Sequence, residues 1–233
     1  MRNVGKAIAD FKMIKNGDRI LLGLSGGKDS LALLMILKHL STYAPIKFDI
    51  AAATVDPLIE GFNPEPLKDY LKSLGIPYFY LQQDISAQAQ SSMDGDSFCS
   101  FCSRMKRGIL YSCARQQGYN VLALAQHLDD LAESFMMSAF NNGKLQTMKA
   151  HYLINKEDLR VIRPLVYVRE RETTDYAKNA KLPIIMDNCP ACFSKPTQRE
   201  HMKQLLAMEE TANDKLFNSL LQTLKPLMAI DHA

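Results

Sequence analysis

The chain has no hydrophobic run long enough to cross a membrane. Its longest uninterrupted aliphatic stretch, Leu31 to Leu37, falls far short of the roughly 18–20 residues that a spanning helix needs. The first residues, Met1-Arg2-Asn3-Val4-Gly5-Lys6, lack the apolar centre of a secretion signal, so a cytoplasmic location without a membrane partner is expected. There is no internal repeat and no low-complexity tract. Charge of one sign does not dominate either, since the formal net is only +3. What remains is ordinary for a globule with a real core: 47% apolar residues, 23% charged, 233 residues in all. That length suits one large domain, or an α/β domain with a small helical appendage.

The small net charge is unevenly spread. Residues 51–98 hold seven acidic residues against Lys68 and Lys72, a local net of −5 that leaves +8 on the rest. A basic remainder points weakly to a polyanionic partner, and solubility alone would also explain it. Five cysteines stand at 99, 102, 113, 189 and 192, and four of them form two C-x-x-C pairs. Without a secretion signal, such pairs indicate metal or redox chemistry rather than structural disulfides.

Short aliphatic runs alternate with helical patterns. Residues 3–14 read as an amphipathic helix, followed by a turn at Asn16-Gly17-Asp18. Residues 19–24, 48–55, 78–81 and 120–125 read as strands, with helices after the first, second and fourth, and one or two short strands are expected within 148–163. Beyond Arg169 the pattern is helical, broken by residues 183–196. The expected fold is a doubly wound α/β domain with a parallel sheet over residues 1–168 and a helical part over 169–233.

Ser25-Gly26-Gly27-Lys28-Asp29-Ser30 lies where the first strand ends and a helix begins. Two glycines let backbone N–H groups close on an anion, the helix start adds partial positive charge, and Lys28 adds a full one. The run is not a Walker loop, because Leu22 stands where that pattern needs glycine, and it is not G-x-G-x-x-G. A carboxylate such as Asp29 beside a phosphate is repulsive unless a cation joins them, which a magnesium-bridged nucleotide would do. The plainer reading is a helix start capped by Ser25, but a cap does not call for two glycines, lysine and aspartate together.

Cys99 and Cys102 open a helical segment, 100–117. Phe101, Met105, Ile109 and Cys113 mark its expected apolar face, with Cys113 a buried core thiol. Arg104, Arg107, Tyr111 and Arg115 fall near one line, which suits either RNA contacts or a solvated basic face. Thiols at a helix start favour the thiolate, and Lys106 stands one turn beyond Cys102. The two pairs could bind zinc with four sulfurs, although they lie farther apart than zinc pairs usually do; three thiolates on an iron–sulfur cluster is the sharper alternative. His127-Leu128-Asp129-Asp130 opens another helix, where capping by Asp130 with Glu133 explains one aspartate but not both. His39, His151 and His201 read as ordinary residues.

The loop Ser25–Ser30 resembles the signature of PP-loop ATP pyrophosphatases, which release pyrophosphate while adenylating a substrate. Arg2 to Phe11, Gly17-Asp18-Arg19-Ile20, the run Cys99 to Tyr111 and Ile162-Arg163-Pro164-Leu165 resemble the tRNA 2-thiocytidine synthetase family over nearly the whole chain. The resemblance implies an adenine-nucleotide α-hydrolase fold, and ATP held by Ser25, Gly26, Gly27, Lys28, Asp29 and Ser30, with Ala53, Val55 and Gln126 near the nucleoside. It implies Mg2+ and a 4Fe-4S cluster on three cysteines, Cys99, Cys102 and Cys192. Cys192 matches the family's Cys-x-Ser-x-Pro, but an apparent insertion leaves Cys189 as the other candidate. It implies sulfur replacing the C2 oxygen of an anticodon-loop cytidine, position 32. Lys106, Asp129 and Asp130 are then acid/base or charge-stabilising candidates, and Arg104, Arg107, Arg115, Arg163 and Arg199 candidates for RNA contact. The implied partners are tRNA and a cysteine desulfurase or other sulfur donor, and a homodimer stays open. A 2-thiouridine synthetase for another position is the neighbouring reading, although those relatives add zinc-finger cysteines that this chain lacks. A lysidine-type ligase would not need the cysteine pairs, and a zinc-stabilised tRNA-binding module would not need an intact phosphate loop.

Overall fold

Alternation along the first strand decides how the sheet is covered. Ile20, Leu22 and Leu24 point into one core and Leu21 into another, and all four are essentially inaccessible. A strand buried on both faces reads as a continuous aliphatic run, which is why RILLGL and NVLALA carry no polar alternation. The computed structural model describes residues 1–58, 61–85, 98–154, 158–185 and 197–229, with the backbone only at 98–100.

The elements are α1 (Arg2–Asp10), β1 (Asp18–Gly23), α2 (Lys28–Tyr43), β2 (Phe48–Asp56), α3 (Glu65–Leu74), β3 (Tyr78–Gln82), α4 (Phe98–Gln116) and β4 (Val121–Ala123). There follow α5 (Leu128–Asn142), β5 (His151–Leu153), β6 (Arg160–Ile162), α6 (Glu170–Asn179), α7 (Gln198–Ala212) and α8 (Leu216–Met228). The sheet order is β3-β2-β1-β4-β6-β5; every neighbouring pair is parallel except β5–β6 at the edge. The sheet is therefore mixed but dominated by parallel strands, with helices on both faces. No described helix is long and apolar enough to cross a membrane.

Among the described residues α4 is the helix that packs the face of Leu21, Ala51, Ala53 and Leu122. The larger core on the other face draws on α1, α2, α3 and α5, and also on Leu206 of α7 and Phe217, Leu224 and Met228 of α8. Helix α2 is buried along Leu31 to Leu34 because it is sandwiched between the sheet and α6.

Two boundaries differ from expectation. Helix α1 stops at Asp10 rather than near residue 14, because Lys12 takes φ +49° and turns the chain so that Met13 and Ile14 are buried. On α4 the buried face is centred on Cys102, Leu110, Cys113 and Ala114, with Phe101, Met105 and Ile109 on its flank. The bulky Phe101 and Met105 lie at the edge of the contact, and the closest approach is made by Leu110. At that approach a methyl group on Gly23 would stand 3.1 Å from the side chains of Leu110 and Leu124, so glycine lets α4 lie close to β1.

The Asp18 end of the sheet is tied together away from any loop chemistry. The buried Asp18 carboxylate accepts from the Lys15 backbone at 2.6 Å and from Asn120 at 3.0 Å, and pairs with Arg160. One carboxylate thus joins β1, β4 and β6 at their N-terminal edge.

Candidate active site

Open parallel sheets bind ligands beyond the carboxyl ends of their strands. Here that edge carries the loop after β1, the end of β2, the segment Leu124–His127 after β4 and Arg163 after β6. A helix joining parallel strands runs antiparallel to them, so α4 also brings its N-terminal end, with Cys99 and Cys102, to this edge. Cys102 lies eight residues before Leu110, or about 12 Å along the helix beyond the contact with Gly23.

The loop after β1 is not a side-chain cap. The N-cap position of α2 is Gly27, and no side chain accepts from the first turn. Ser25 instead takes the N–H of Gly27 at 3.2 Å and meets the Ser30 hydroxyl at 3.1 Å. Ser30 donates to the Gly27 carbonyl at 2.9 Å. The loop is braced by its own hydroxyls, and the helix start has no side-chain acceptor, as an anion site requires. Gly26 has φ +88°, and a methyl group there would stand 3.1 Å from the Ile185 side chain, while the Ile185 N–H donates to the Gly26 carbonyl at 2.9 Å. Both constraints select glycine.

Around the loop lies a network of ionised groups. Lys28 contacts Asp29 and Glu170, each at 2.9 Å, and Glu170 also contacts Lys203 at 2.7 Å. Asp29 further accepts from the Thr173 hydroxyl and stands 3.8 Å from His127 Nε2. His127 is buried, and its Nδ1 accepts the N–H of Asp130 at 3.3 Å, which assigns the proton of the neutral ring to Nε2, facing Asp29. Asp130 returns the bond to the His127 backbone at 3.0 Å, completing a capping box. Asp129 accepts from Arg169 at 3.1 Å and from the backbone of Glu170 at 2.8 Å. The adjacent aspartates thus have separate tasks: Asp130 caps α5, and Asp129 docks the start of α6. Arg169 continues to Glu210 through two bonds of 2.7 and 2.9 Å and lies over the Phe217 ring.

Burial would raise the Glu170 carboxyl, but hydrogen bonds from Lys203 and Lys28 hold it at about 2. Burial, with Asp130 beside it, pushes the Glu133 carboxyl up to about 7 against the pull of Arg199 and Lys203. Ionising Glu133 therefore costs stability: as pH rises from about 4.5 to 7 the folded form holds a proton that the unfolded form has lost, and stability falls by at most about 3 kcal/mol. Glu133→Gln should melt with the wild type near pH 4 and above it at pH 8, as followed by thermal unfolding. Equal melting temperatures at both pH values would contradict this assignment.

The other expected site residues separate into groups. Ala53 and Val55 are buried on the α4 side of β2. Cys102 is buried in the same core, Cys113 is buried and its thiol pushed up by burial, and Lys106, half-buried, is in line with Cys102 and Leu110. Arg115 is held by Asp158 through bonds of 2.6 and 3.1 Å, while Arg107 is half-buried near Tyr111 and Arg104 is exposed. Arg163 is only 3% exposed; it bonds to Gln126 at 2.9 Å and to the Lys149 carbonyl at 2.6 Å, and it faces the Tyr152 ring. Arg199 reaches Asp130 at 3.5 Å and Glu133 at 3.7 Å.

Cys189 and Cys192 lie outside the described residues, but both flanks of their segment meet the phosphate loop's surroundings. Ile185 is bonded to Gly26, and α7, capped by Thr197, sends Arg199 and Lys203 to Asp130 and Glu170. Two cysteines three residues apart at the start of α4, with the Cys102 side chain buried, are a donor set that fits an iron–sulfur cluster. Glu170, Arg169, Thr173, Lys203 and Glu210 were not expected at the site. The dense charge at Arg169-Glu170-Arg171-Glu172 was a signal, though it reads as a solvated helix start.

The fold and loop together define a class: residues 1–210 match the family of the PP-loop domain. The particular family follows from relatives matched over most of their length. The chain is 40% identical over 222 residues to the tRNA-cytidine(32) 2-sulfurtransferase of Geobacter sulfurreducens, covering 95% of this chain and 86% of that protein. It is 40% identical over 237 residues to that of Tolumonas auensis, covering 99% and 78%. It belongs to the tRNA-cytidine(32) 2-sulfurtransferase family. In fold it is similar to a U34-tRNA thiolase from Methanococcus maripaludis solved with its 4Fe-4S cluster, with TM-score 0.78 and 22% identity over 100% of this chain and 78% of that one. An NH3-dependent NAD synthetase from Campylobacter jejuni shares the fold at TM-score 0.55 and 19% identity, covering 97% and 90%.

Proposed function

We propose that this protein is an ATP-dependent tRNA thiolase that converts cytidine 32 to 2-thiocytidine. The observation that carries the reading is the phosphate loop with an uncapped helix start, set in a chain 40% identical to such enzymes over almost its entire length. The backbone N–H groups of the loop and of the first turn of α2 would grip the phosphates, with Lys28 and a magnesium ion held by Asp29 neutralising the departing pyrophosphate. The C2 oxygen of the base attacks the α-phosphorus, the α–β bond breaks and pyrophosphate leaves. Sulfur then attacks C2 and AMP departs with the oxygen, so that a poor leaving group has been made a good one. When bound by Cys99, Cys102 and Cys192, a 4Fe-4S cluster supplies an iron without a protein ligand at which sulfide can be presented. The His127 Nε2–H, aimed at Asp29, would keep that carboxylate oriented, and Lys106 stands on the buried face of α4 in line with Cys102.

The C-terminal part, 169–233, completes the site through Glu170 and Lys203, and the sulfur is supplied by a cysteine desulfurase or another donor. Incubation of anaerobic protein with tRNA, MgATP and sulfide should yield AMP and pyrophosphate. Formation of ADP and phosphate, or no dependence on tRNA, would contradict the reading.

Arg104 and Arg107 are proposed to touch tRNA phosphates. Arg107→Ala should weaken tRNA binding and flatten its salt dependence by up to about one unit of slope. Arg115→Ala should change the slope less, because Asp158 already neutralises that guanidinium. Equal slopes for Arg107→Ala and wild type, measured by titration at several salt concentrations, would return this face to ordinary solvated surface.

A further inference from the structure

A row of alternating charges runs from the phosphate loop to α7, and only its first member belongs to the loop. Lys28 Nζ lies 2.9 Å from Glu170 Oε1, and Lys203 Nζ lies 2.7 Å from Glu170 Oε2. One carboxylate therefore bridges two ammonium groups, one through each oxygen. Its place is fixed from behind: the Glu170 backbone donates to Asp129, which Arg169 holds in turn. The Glu170 side chain is about three-quarters buried, whereas Lys203 is half exposed.

A phosphate arriving at the loop needs the Lys28 ammonium, which Glu170 already holds. Asp29 also meets Lys28 at 2.9 Å, so two of the three ammonium N–H groups are taken and the phosphate oxygens compete with these carboxylates for the cation. On the reading of Ser25–Ser30 as a pyrophosphate grip, we propose that Glu170 is a positioning residue that competes with pyrophosphate for Lys28, while Lys203 sets the strength of that competition. Phosphate oxygens take Lys28 as the nucleotide binds, and Glu170 keeps Lys203. When pyrophosphate departs, Glu170 takes Lys28 back and opposes rebinding. Lys203 draws on the same carboxylate, so it weakens the hold of Glu170 on Lys28. The carboxylate stays ionised throughout the working range because its two lysines hold its titration far down.

This scheme gives opposite signs to two substitutions on one bridge. In the full-length protein, Glu170→Gln should tighten inhibition by pyrophosphate about tenfold, lower KM for ATP and lower kcat as product release slows. Lys203→Met should loosen pyrophosphate inhibition about threefold and raise KM for ATP. Glu170→Gln/Lys203→Met should follow Glu170→Gln alone, because Lys203 acts only through the carboxylate. The readouts are steady-state pyrophosphate release with tRNA present and product inhibition by added pyrophosphate, alongside thermal melting of each variant.

Shifts of the same sign in both single variants would overturn the proposal, as would unchanged constants in both while wild type responds to pyrophosphate. A further loss of affinity when Lys203→Met is added to Glu170→Gln would overturn it as well, by showing that Lys203 touches phosphate directly. Should Glu170→Gln melt far below wild type, Lys203→Met at its exposed position carries the test, and unchanged or tightened pyrophosphate inhibition there refutes the scheme. A wild-type protein indifferent to both ATP and pyrophosphate would remove the grip itself and the bridge with it.

Discussion

Asp29→Ala should abolish magnesium-dependent ATP binding and lower tRNA-dependent pyrophosphate release by at least about a hundredfold, with the fold intact. The side chain is partly exposed at the first turn of α2, so its loss leaves no cavity in either core. Its removal does more than delete one carboxylate. The Thr173 hydroxyl loses an acceptor, the His127 Nε2–H loses the group it faces, and Lys28 is left to Glu170 alone. Lys28 should then be drawn away from the loop, which compounds the loss of the proposed magnesium ligand. Isothermal titration with MgATP, beside a thermal melt, checks both halves of the expectation. Wild-type affinity in a folded Asp29→Ala protein would remove Asp29 from nucleotide binding.

Loss of a cluster thiol should be as severe. Protein purified without oxygen is expected to be brown, through sulfur-to-iron charge transfer, and to bleach in air. Cys102→Ala should lose the colour and tRNA thiolation together. The Cys102 side chain is buried at the sheet-facing side of α4, so the small cavity left by alanine costs little stability beside that loss. Cys99→Ala and Cys192→Ala should behave alike, while Cys189→Ala should keep most of both properties. Brown Cys192→Ala beside colourless Cys189→Ala would exchange the third ligand. A colourless anaerobic protein with stoichiometric zinc would replace the cluster with a closed four-sulfur site.

Much of the architecture was legible because burial on both faces leaves a plain trace. Arg19 to Leu24 and Asn120 to Ala125 are aliphatic runs too short for helices, and each is followed by a helix start with polar chemistry. The loop Ser25–Ser30 was legible through its combination of residue types, and the chain matches the PP-loop domain family over residues 1–210. The surroundings of the loop were not. Glu170 meets Lys28 across 142 positions of sequence, and Thr173 meets Asp29 across 144, so no local periodicity announces either contact. Lys203 and Glu210 look like the solvated side of α7, yet each pairs with a group at the candidate site. The sheet-facing side of α4 was misplaced by about one residue, since the small Cys102 and Ala114 are buried beside Leu110 while the bulky Phe101 and Met105 lie at the flank. Gly17-Asp18 illustrates the reverse case: it is part of the family resemblance, but Asp18 serves to join β1, β4 and β6 at the sheet edge opposite the candidate site.

Nucleoside mass spectrometry tests the central claim most directly. tRNA from cells lacking this protein would be incubated with the anaerobic protein, MgATP and sulfide, digested and compared with an Asp29→Ala control. 2-Thiocytidine should appear in the wild-type reaction, map to position 32, and be absent without ATP or with the variant. A thiolated uridine in its place, or no thiolated nucleoside from protein that carries an intact cluster and consumes ATP, would contradict the assignment to cytidine 32.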